Sequence, residues 1–460
     1  MSALLNRKNL ISGVTYASRR TLLSSSGAAL LTAAIGHSSQ ANGASKLPGS
    51  GGTSSTELSL PRTGFDPDRL TIMHETMARY AGTEDLPGLV TLIQRGGETD
   101  LQVYGTMTAG GDAAMQKDTV FRIASVTKPI VAVAAMTLME DGTLRLDDPV
   151  DPYLPELADR QVLRSLDSDL DDTVPANRPI SLRDLLTLTP GYGAIFAPPG
   201  TYPIQQAMED AGLSNAANQP AITADEMLRR YAGLPLASQP GTTWLYNNGS
   251  DILGILVGRV ADMTLREFMQ ERIFAPLGMV DTAFSVPAGK LERLPGVYFR
   301  NPATGDVAEI DTNAPDSRFA TPPIFESGAG GLVSTAADLL AFGEMMRGNG
   351  TRGDVRIISR PTVALMTTNQ IMPEQADPAS FYPGFWATHG WGFGLAIDMK
   401  RAEIFSTPGR FGWDGAYGTS LYVDPTEDVI GVLLTQQVWS AVGLPQVTID
   451  FWNSTYQALA

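Results

Sequence analysis

The chain has no cysteine among its 460 residues. Disulfides, thiolate metal sites and lipid attachment through an N-terminal cysteine are therefore excluded, and cysteine usage leaves the redox compartment open. Histidine is almost as scarce, with His37, His74 and His389 the whole complement. His37 falls in a segment that reads as a targeting signal, and His74 lies in an early helix pattern. His389 sits in Thr388-His389-Gly390-Trp391-Gly392, which reads more readily as a loop or strand end than as a catalytic base. With no Gly-x-Ser-x-Gly elbow and no compact group of His and carboxylates, a Ser-His-Asp hydrolase and a metal hydrolase both lack their parts. The sequence requires neither a metal nor a cofactor.

Positive charge is short as well: 33 Lys and Arg face 49 Asp and Glu, a formal net charge of −16. Nucleic acid is not an expected partner, since binding it takes clustered cations that displace counterions. The acidic surplus reads as a solubility feature more than as an attraction for a cationic substrate. Long apolar runs are missing too. No run reaches the ~20 residues that a spanning helix requires, so no stable membrane anchor is expected. At 43% hydrophobic and 18% charged residues the composition is that of an ordinary globular protein.

What is present begins at the amino terminus. Arg7, Lys8, Arg19 and Arg20 are the only charged residues before residue 45, and the small apolar stretch Gly27–Ile35 follows the Arg19-Arg20 pair. Both features fit a twin-arginine export signal over residues 1–44, cleaved after Ala41 or Ala44, and hence a periplasmic or extracellular protein. The competing reading is a tail with a chance arginine pair. Residues 45–65, rich in Gly and Ser at first, read as a flexible leader.

From about residue 66 the pattern becomes periodic. A helix is predicted over 68–80, and strands over 88–94 and 100–104, joined as a hairpin by Arg95-Gly96-Gly97. A helix of small apolar residues then runs from about Ser125 to Asp141 and stops at Gly142. Ser181 with Asp184, Thr223 with Glu226 and Thr264 with Glu267 each fit a capping box, in which hydroxyl and acid satisfy free amides of the first turn. Three such starts predict a mainly helical stretch over 143–320. Beyond it a helix starts near Thr335 with Asp338, and strand-like runs at 393–398, 402–406, 418–423 and 429–435 are separated by short turns such as Asp424-Pro425. That sheet should be antiparallel, with a helix over 445–459 closing the chain. The expected fold class is α+β: one domain of residues 66–142 and 321–460, interrupted by a mainly helical insertion over 143–320, with the active-site cleft between them.

Three motifs carry chemistry. Ser125-Val126-Thr127-Lys128 opens the small-residue helix, and at this spacing the amine reaches the hydroxyl while the positive helix start favours an oxyanion. Lys128 must then be neutral to accept a proton, which burial along Val131–Ala135 would promote. The chain has only six lysines, and Lys128 alone has Ser three places before it. Tyr246-Asn247-Asn248 supplies a phenol that can ionise or shuttle a proton, and an amide able to bond Lys128 and a substrate carbonyl. Gly412-Trp413-Asp414-Gly415-Ala416 reads as a glycine-flanked strand edge open to substrate, with the Ala416 amide able to join that of Ser125 as an oxyanion hole. Taken singly, an N-cap serine, a turn and an aromatic core strand would account for the three.

Taken in order, the motifs resemble those of the serine β-lactamase and penicillin-binding-protein superfamily, and most nearly class C β-lactamases and the related family VIII type carboxylesterases. The resemblance covers about residues 66–455 and includes Phe121-Arg122-Ile123-Ala124, Leu182-Arg183-Asp184-Leu185-Leu186 and Gly328-Ala329-Gly330-Gly331-Leu332-Val333-Ser334-Thr335. It implies a β-lactamase/transpeptidase-like fold, with Ser125 as nucleophile, Lys128 as base, Tyr246 as the second-motif tyrosine and Asn248 as the second-motif asparagine. Trp413, Asp414, Gly415 and Ala416 would line the substrate. Where β-lactamases carry Lys-Thr-Gly on that strand, this chain has Trp413-Asp414-Gly415. A lost cation and an added acid point away from β-lactams and towards small acyl esters, unless Arg410 or Lys400 restores the charge. The expected partner is a small-molecule acyl substrate. A β-lactamase, a D-amino-acid peptidase or transacylase, and an inactive binding protein with the same fold are the alternatives, and oligomeric state is unreadable.

Overall fold

The computed structural model describes residues 64–213, 221–312, 317–377, 381–440 and 443–460. The expected export signal at 1–44, and the leader up to residue 63, lie outside the described residues. Seven strands form the main sheet: β1 Gly88–Arg95, β2 Glu98–Gly105, β3 His389–Trp391, β4 Ala396–Asp398, β5 Phe411–Gly415, β6 Thr419–Asp424 and β7 Val429–Thr435. Their order is β3-β4-β5-β6-β7-β1-β2, and every neighbouring pair is antiparallel. The fold is therefore α+β with an antiparallel sheet, as its turns imply.

The strands read as nearly continuous apolar runs because helices cover both faces. On one face, α1 (Pro67–Ala78) and α6 (Gln446–Gln457) bury Met73, Met77, Phe451 and Trp452 against Leu89, Ile93 and Leu433. On the other, α2 (Thr127–Glu140) and α5 (Ala336–Arg347) cover Val90, Leu92, Leu421 and Val432. Alternation along β1 sends Leu89 and Ile93 one way and Val90 and Leu92 the other. Asp66 caps α1 through a bond to the Arg69 amide, and Gly142 takes φ +77 after α2, a conformation that glycine adopts freely.

Residues 143–320 carry helices including α3 (Leu182–Leu186) and α4 (Asn248–Ala261), together with two small hairpins, Gln161–Leu163 with Thr173–Pro175 and Val297–Arg300 with Val307–Asp311. Their apolar residues, Leu185 and Ile252 among them, belong to the same buried cluster as Val90 and Val432 of the sheet. The boxes at Ser181 and Thr264 form in full, whereas Thr223 caps its helix through the Glu226 amide alone. Residues 402–406 are turns and bends, not a strand: Phe405 tucks into the α1/α6 cluster, and Pro408-Gly409 turns the chain into β5. The two ends of the body meet, with Phe65 bridging Leu459 and Arg95 Nη1 donating to the carbonyls of Gly64 and Ala460.

Candidate active site

The chain approaches Ser125 under constraint. Phe121–Arg122 pairs with Val333–Ser334, and the buried Arg122 guanidinium ties that strand to Asp311 at 2.6 Å and to the carbonyls of Pro295 and Thr312. Ala124 then takes φ +45, which costs a non-glycine residue about 1–3 kcal/mol and sharpens the turn that presents the next side chain. Ser125 lies in a single 3-10 turn, Ala124–Val126, and the α-helix proper begins at Thr127 rather than at Ser125.

Lys128 is 1% exposed, and its Nζ contacts Ser125 Oγ at 3.0 Å, Asn247 Oδ1 at 2.9 Å and the Ala329 carbonyl at 2.7 Å. Burial lowers its pKa to about 7, against the opposing pull of the Asp251 carboxylate. As an ammonium, Nζ donates to all three partners; as a neutral amine it keeps two N–H groups for Asn247 and Ala329 and turns its lone pair to the Ser125 hydroxyl proton. Asp251 accepts from Ser327 Oγ at 2.6 Å and from the Ala329 amide at 3.0 Å, so it also fixes the carbonyl that Lys128 uses.

Tyr246 completes the group. Its ring lies with its centroid 4.5 Å from Lys128 Nζ, and its hydroxyl accepts from Trp413 Nε1 at 2.8 Å. Burial raises its pKa, hydrogen bonds with Ser125 and Trp413 oppose the rise, and the Asp414 charge adds to it. The phenol is therefore protonated at neutral pH. Trp244 stacks on Tyr246 at 5.6 Å, and Phe381 lies 5.1 Å from it, so this flank of the site is an aromatic wall.

Ser125, Lys128, Tyr246 and Trp413 thus come together. Gly415 lies against the segment that leads into Ser125: a methyl group there would sit 2.4 Å from the Ile123 carbonyl oxygen, which Thr419 Oγ1 holds at 3.0 Å. Ala416 follows as an exposed residue beyond the end of β5.

Two expected site residues lie elsewhere. Asn248 opens α4 and spends its amide nitrogen on the Leu213 carbonyl at 2.8 Å and on Tyr231 Oη at 2.7 Å. The contact with Lys128 belongs to Asn247, whose φ of +85 turns its side chain back into the site. Asp414 alternates away from Trp413 to the opposite face of the sheet, where it accepts from Tyr422 Oη at 3.0 Å and burial raises its pKa. Its charge is not in the cleft. Nor does Arg410 restore the missing cation, since it is buried behind the sheet against Tyr422 and Trp452 and paired with Asp398 at 3.0 Å; Lys400 is exposed. Asp251 had no local sequence signal, because its role depends on how α4 packs; Ala329 lies in the Gly328–Thr335 segment that carries the resemblance, but nothing in that segment assigns its carbonyl to Lys128. A groove of about 660 Å3 along α4, walled by Arg259 and Phe325 among others, includes none of Ser125, Lys128 and Tyr246.

The family model described as Beta-lactamase matches residues 73–443. Protein Rv1367c of Mycobacterium tuberculosis (strain ATCC 25618 / H37Rv) is 36% identical over 371 residues, 79% of this chain and 88% of its own. Esterase EstB of Burkholderia gladioli is 29% identical over 422 residues, 87% of this chain and 99% of its own. Among solved structures, EstCE1, described as a hydrolase with promiscuous acyltransferase activity, superposes with a TM-score of 0.69 at 25% identity, covering 85% of this chain and 99% of that one.

Proposed function

The chain belongs to the beta-lactamase family, and from that premise we propose that it is a serine hydrolase acting through an acyl-enzyme at Ser125, a carboxylesterase on small acyl esters. The observation that carries this reading is the buried Lys128 amine, 3.0 Å from Ser125 Oγ and with its pKa lowered to about 7. Neutral Lys128 takes the hydroxyl proton as Oγ attacks the ester carbonyl. The backbone amides of Ser125 and Ala416 hold the oxyanion. As the tetrahedral species collapses, the alkoxide leaves with a proton from Tyr246, and the Lys128 ammonium replaces it. Water repeats the sequence on the acyl-enzyme, releasing the acid and restoring Ser125. The similarity to EstCE1 and to esterase EstB supports this reading, and the former's acyltransferase description supports a variant in which an alcohol replaces water in the second half.

The third-motif position also bears on substrate. Trp413 offers Tyr246 a neutral N–H donor where the β-lactamases have an ammonium. A β-lactam holds its carboxylate on the ring system that contains its leaving nitrogen, hence on the aromatic flank beside Tyr246, where desolvating that charge goes uncompensated. Short p-nitrophenyl esters are expected to be hydrolysed with a kcat/KM at least ~100-fold above that for penicillins and cephalosporins, about 2.7 kcal/mol of transition-state stabilisation. Ser125→Ala should abolish both turnover and labelling by a fluorophosphonate. Labelling retained in that variant would place the nucleophile elsewhere, and a cephalosporin cleaved as fast as the best ester would restore the β-lactamase reading.

A further inference from the structure

Arg318 lines a pocket of about 210 Å3 whose other walls, including Phe284, Phe319, Ile324 and Phe325, are mainly apolar. The pocket borders the nucleophile's segment. A methyl group on Gly330, one of its residues, would lie 3.6 Å from the Ala124 carbonyl carbon. The Arg318 guanidinium donates to the hydroxyl of Tyr417, whose ring clusters with Ala124. It also lies 4.9 Å from the Phe319 ring centroid, which restricts its orientation while the residue stays exposed. Among the described residues it forms no ion pair with a carboxylate. The neighbouring acid, Asp311, is neutralised by Arg122 at 2.6 Å and offers only a weak 3.4 Å contact to the Arg318 backbone amide. Among the described residues, the pocket mouth therefore carries a cation that no carboxylate pairs.

The pocket shares no residue with the aromatic cluster around Tyr246. Because Tyr246 protonates the departing alcohol, the alcohol occupies the aromatic flank and the acyl chain is left with the pocket beside Ala124. We propose that this pocket takes the acyl chain and that Arg318 binds a carboxylate at the chain's far end, so that the favoured substrates are monoesters of short dicarboxylic acids. This rests on the hydrolase reading above. Apolar walls suit the methylene segment, and the guanidinium fork at a solvated mouth binds the carboxylate without burying it. A neutral chain end gains the same burial but no charge-assisted bond.

The test compares p-nitrophenyl hydrogen adipate with p-nitrophenyl hexanoate, which have equal chain lengths and differ at the chain end. Arg318→Gln should lower the ratio of their kcat/KM values about tenfold, the lower end for a hydrogen bond to a charged group. Arg318→Lys, which keeps the charge without the fork, should recover part of that loss. A ratio unmoved in Arg318→Gln overturns the proposal, as does an equal loss on both esters. Calorimetric binding of monomethyl adipate to the Ser125→Ala protein, with and without Arg318→Gln, reads the site independently of turnover. Arg318-dependent binding with no turnover by the unmodified protein removes the hydrolase reading and leaves the anion site standing. Turnover without Arg318-dependent binding does the reverse.

Discussion

An amine that works as a base must be neutral when substrate arrives, and the surroundings of Lys128 determine the pH at which it is. Burial disfavours its charged form, and the Asp251 carboxylate favours it. The kcat/KM of the enzyme is therefore expected to rise with pH through a limb near 7, as the ammonium loses its proton. Asp251→Asn keeps an acceptor for Ser327 and Ala329 but removes the charge, so the limb should move to lower pH. A pH–rate profile of both proteins checks this, and a limb that stayed in place or moved upward would disconnect Asp251 from the base. At this scale the sequence was only partly informative. Ser125 and Lys128 could be paired because a helix turn fixes their separation, whereas the choice between Asn247 and Asn248 depends on a positive φ that the residue types do not reveal. The fate of Asp414 was within reach: next to Trp413 on a strand, it had to face the other way.

At the scale of the element, β5 is the part whose placement is least forgiving. Its end lies against Ile123, with Thr419 bonding the same carbonyl, so that the end of β5 and the segment leading into Ser125 share one contact. Gly415→Ala would put a methyl 2.2 Å from Thr419 Oγ1 and 2.4 Å from the Ile123 carbonyl oxygen. A destabilisation of about 1–3 kcal/mol is expected from such overpacking, together with a fall in kcat, because the strand must retreat from Ser125. Urea unfolding beside ester kinetics measures the two effects, and a variant unchanged in both would mean that the strand end yields freely. Most elements were legible because both period and punctuation were present, as in the hairpin through Gly96-Gly97. β3 was missed because three residues centred on a glycine show no alternation. The strand expected over 402–406 failed because an apolar residue there, Phe405, is buried from a turn.

For the molecule as a whole, the base has a thermodynamic cost. Burial lowers the pKa of Lys128 from the ordinary lysine value of 10.5 to about 7 in the folded chain. Between those values the unfolded chain binds the extra proton, so this residue's contribution to stability rises with pH across that window, and the penalty is at its full size below pH 7. Lys128→Met, inactive, is expected to melt at a higher temperature than the parent at pH 6, with the gap narrowing towards pH 10. A variant less stable than the parent at pH 6 would mean that the three hydrogen bonds of Nζ outweigh desolvation. The sheet's strand order depends on its N-terminal hairpin joining a C-terminal meander, a long-range pairing that no local pattern specifies. The same closure places Phe65 opposite Leu459, with Arg95 bonded to Gly64 and Ala460. In polymer terms the folded body is almost a ring with one missing link. A short Gly-Ser linker from residue 460 to residue 64, with new termini opened at the exposed Thr304-Gly305 turn, should therefore give a circular permutant that folds and keeps Ser125-dependent esterase activity.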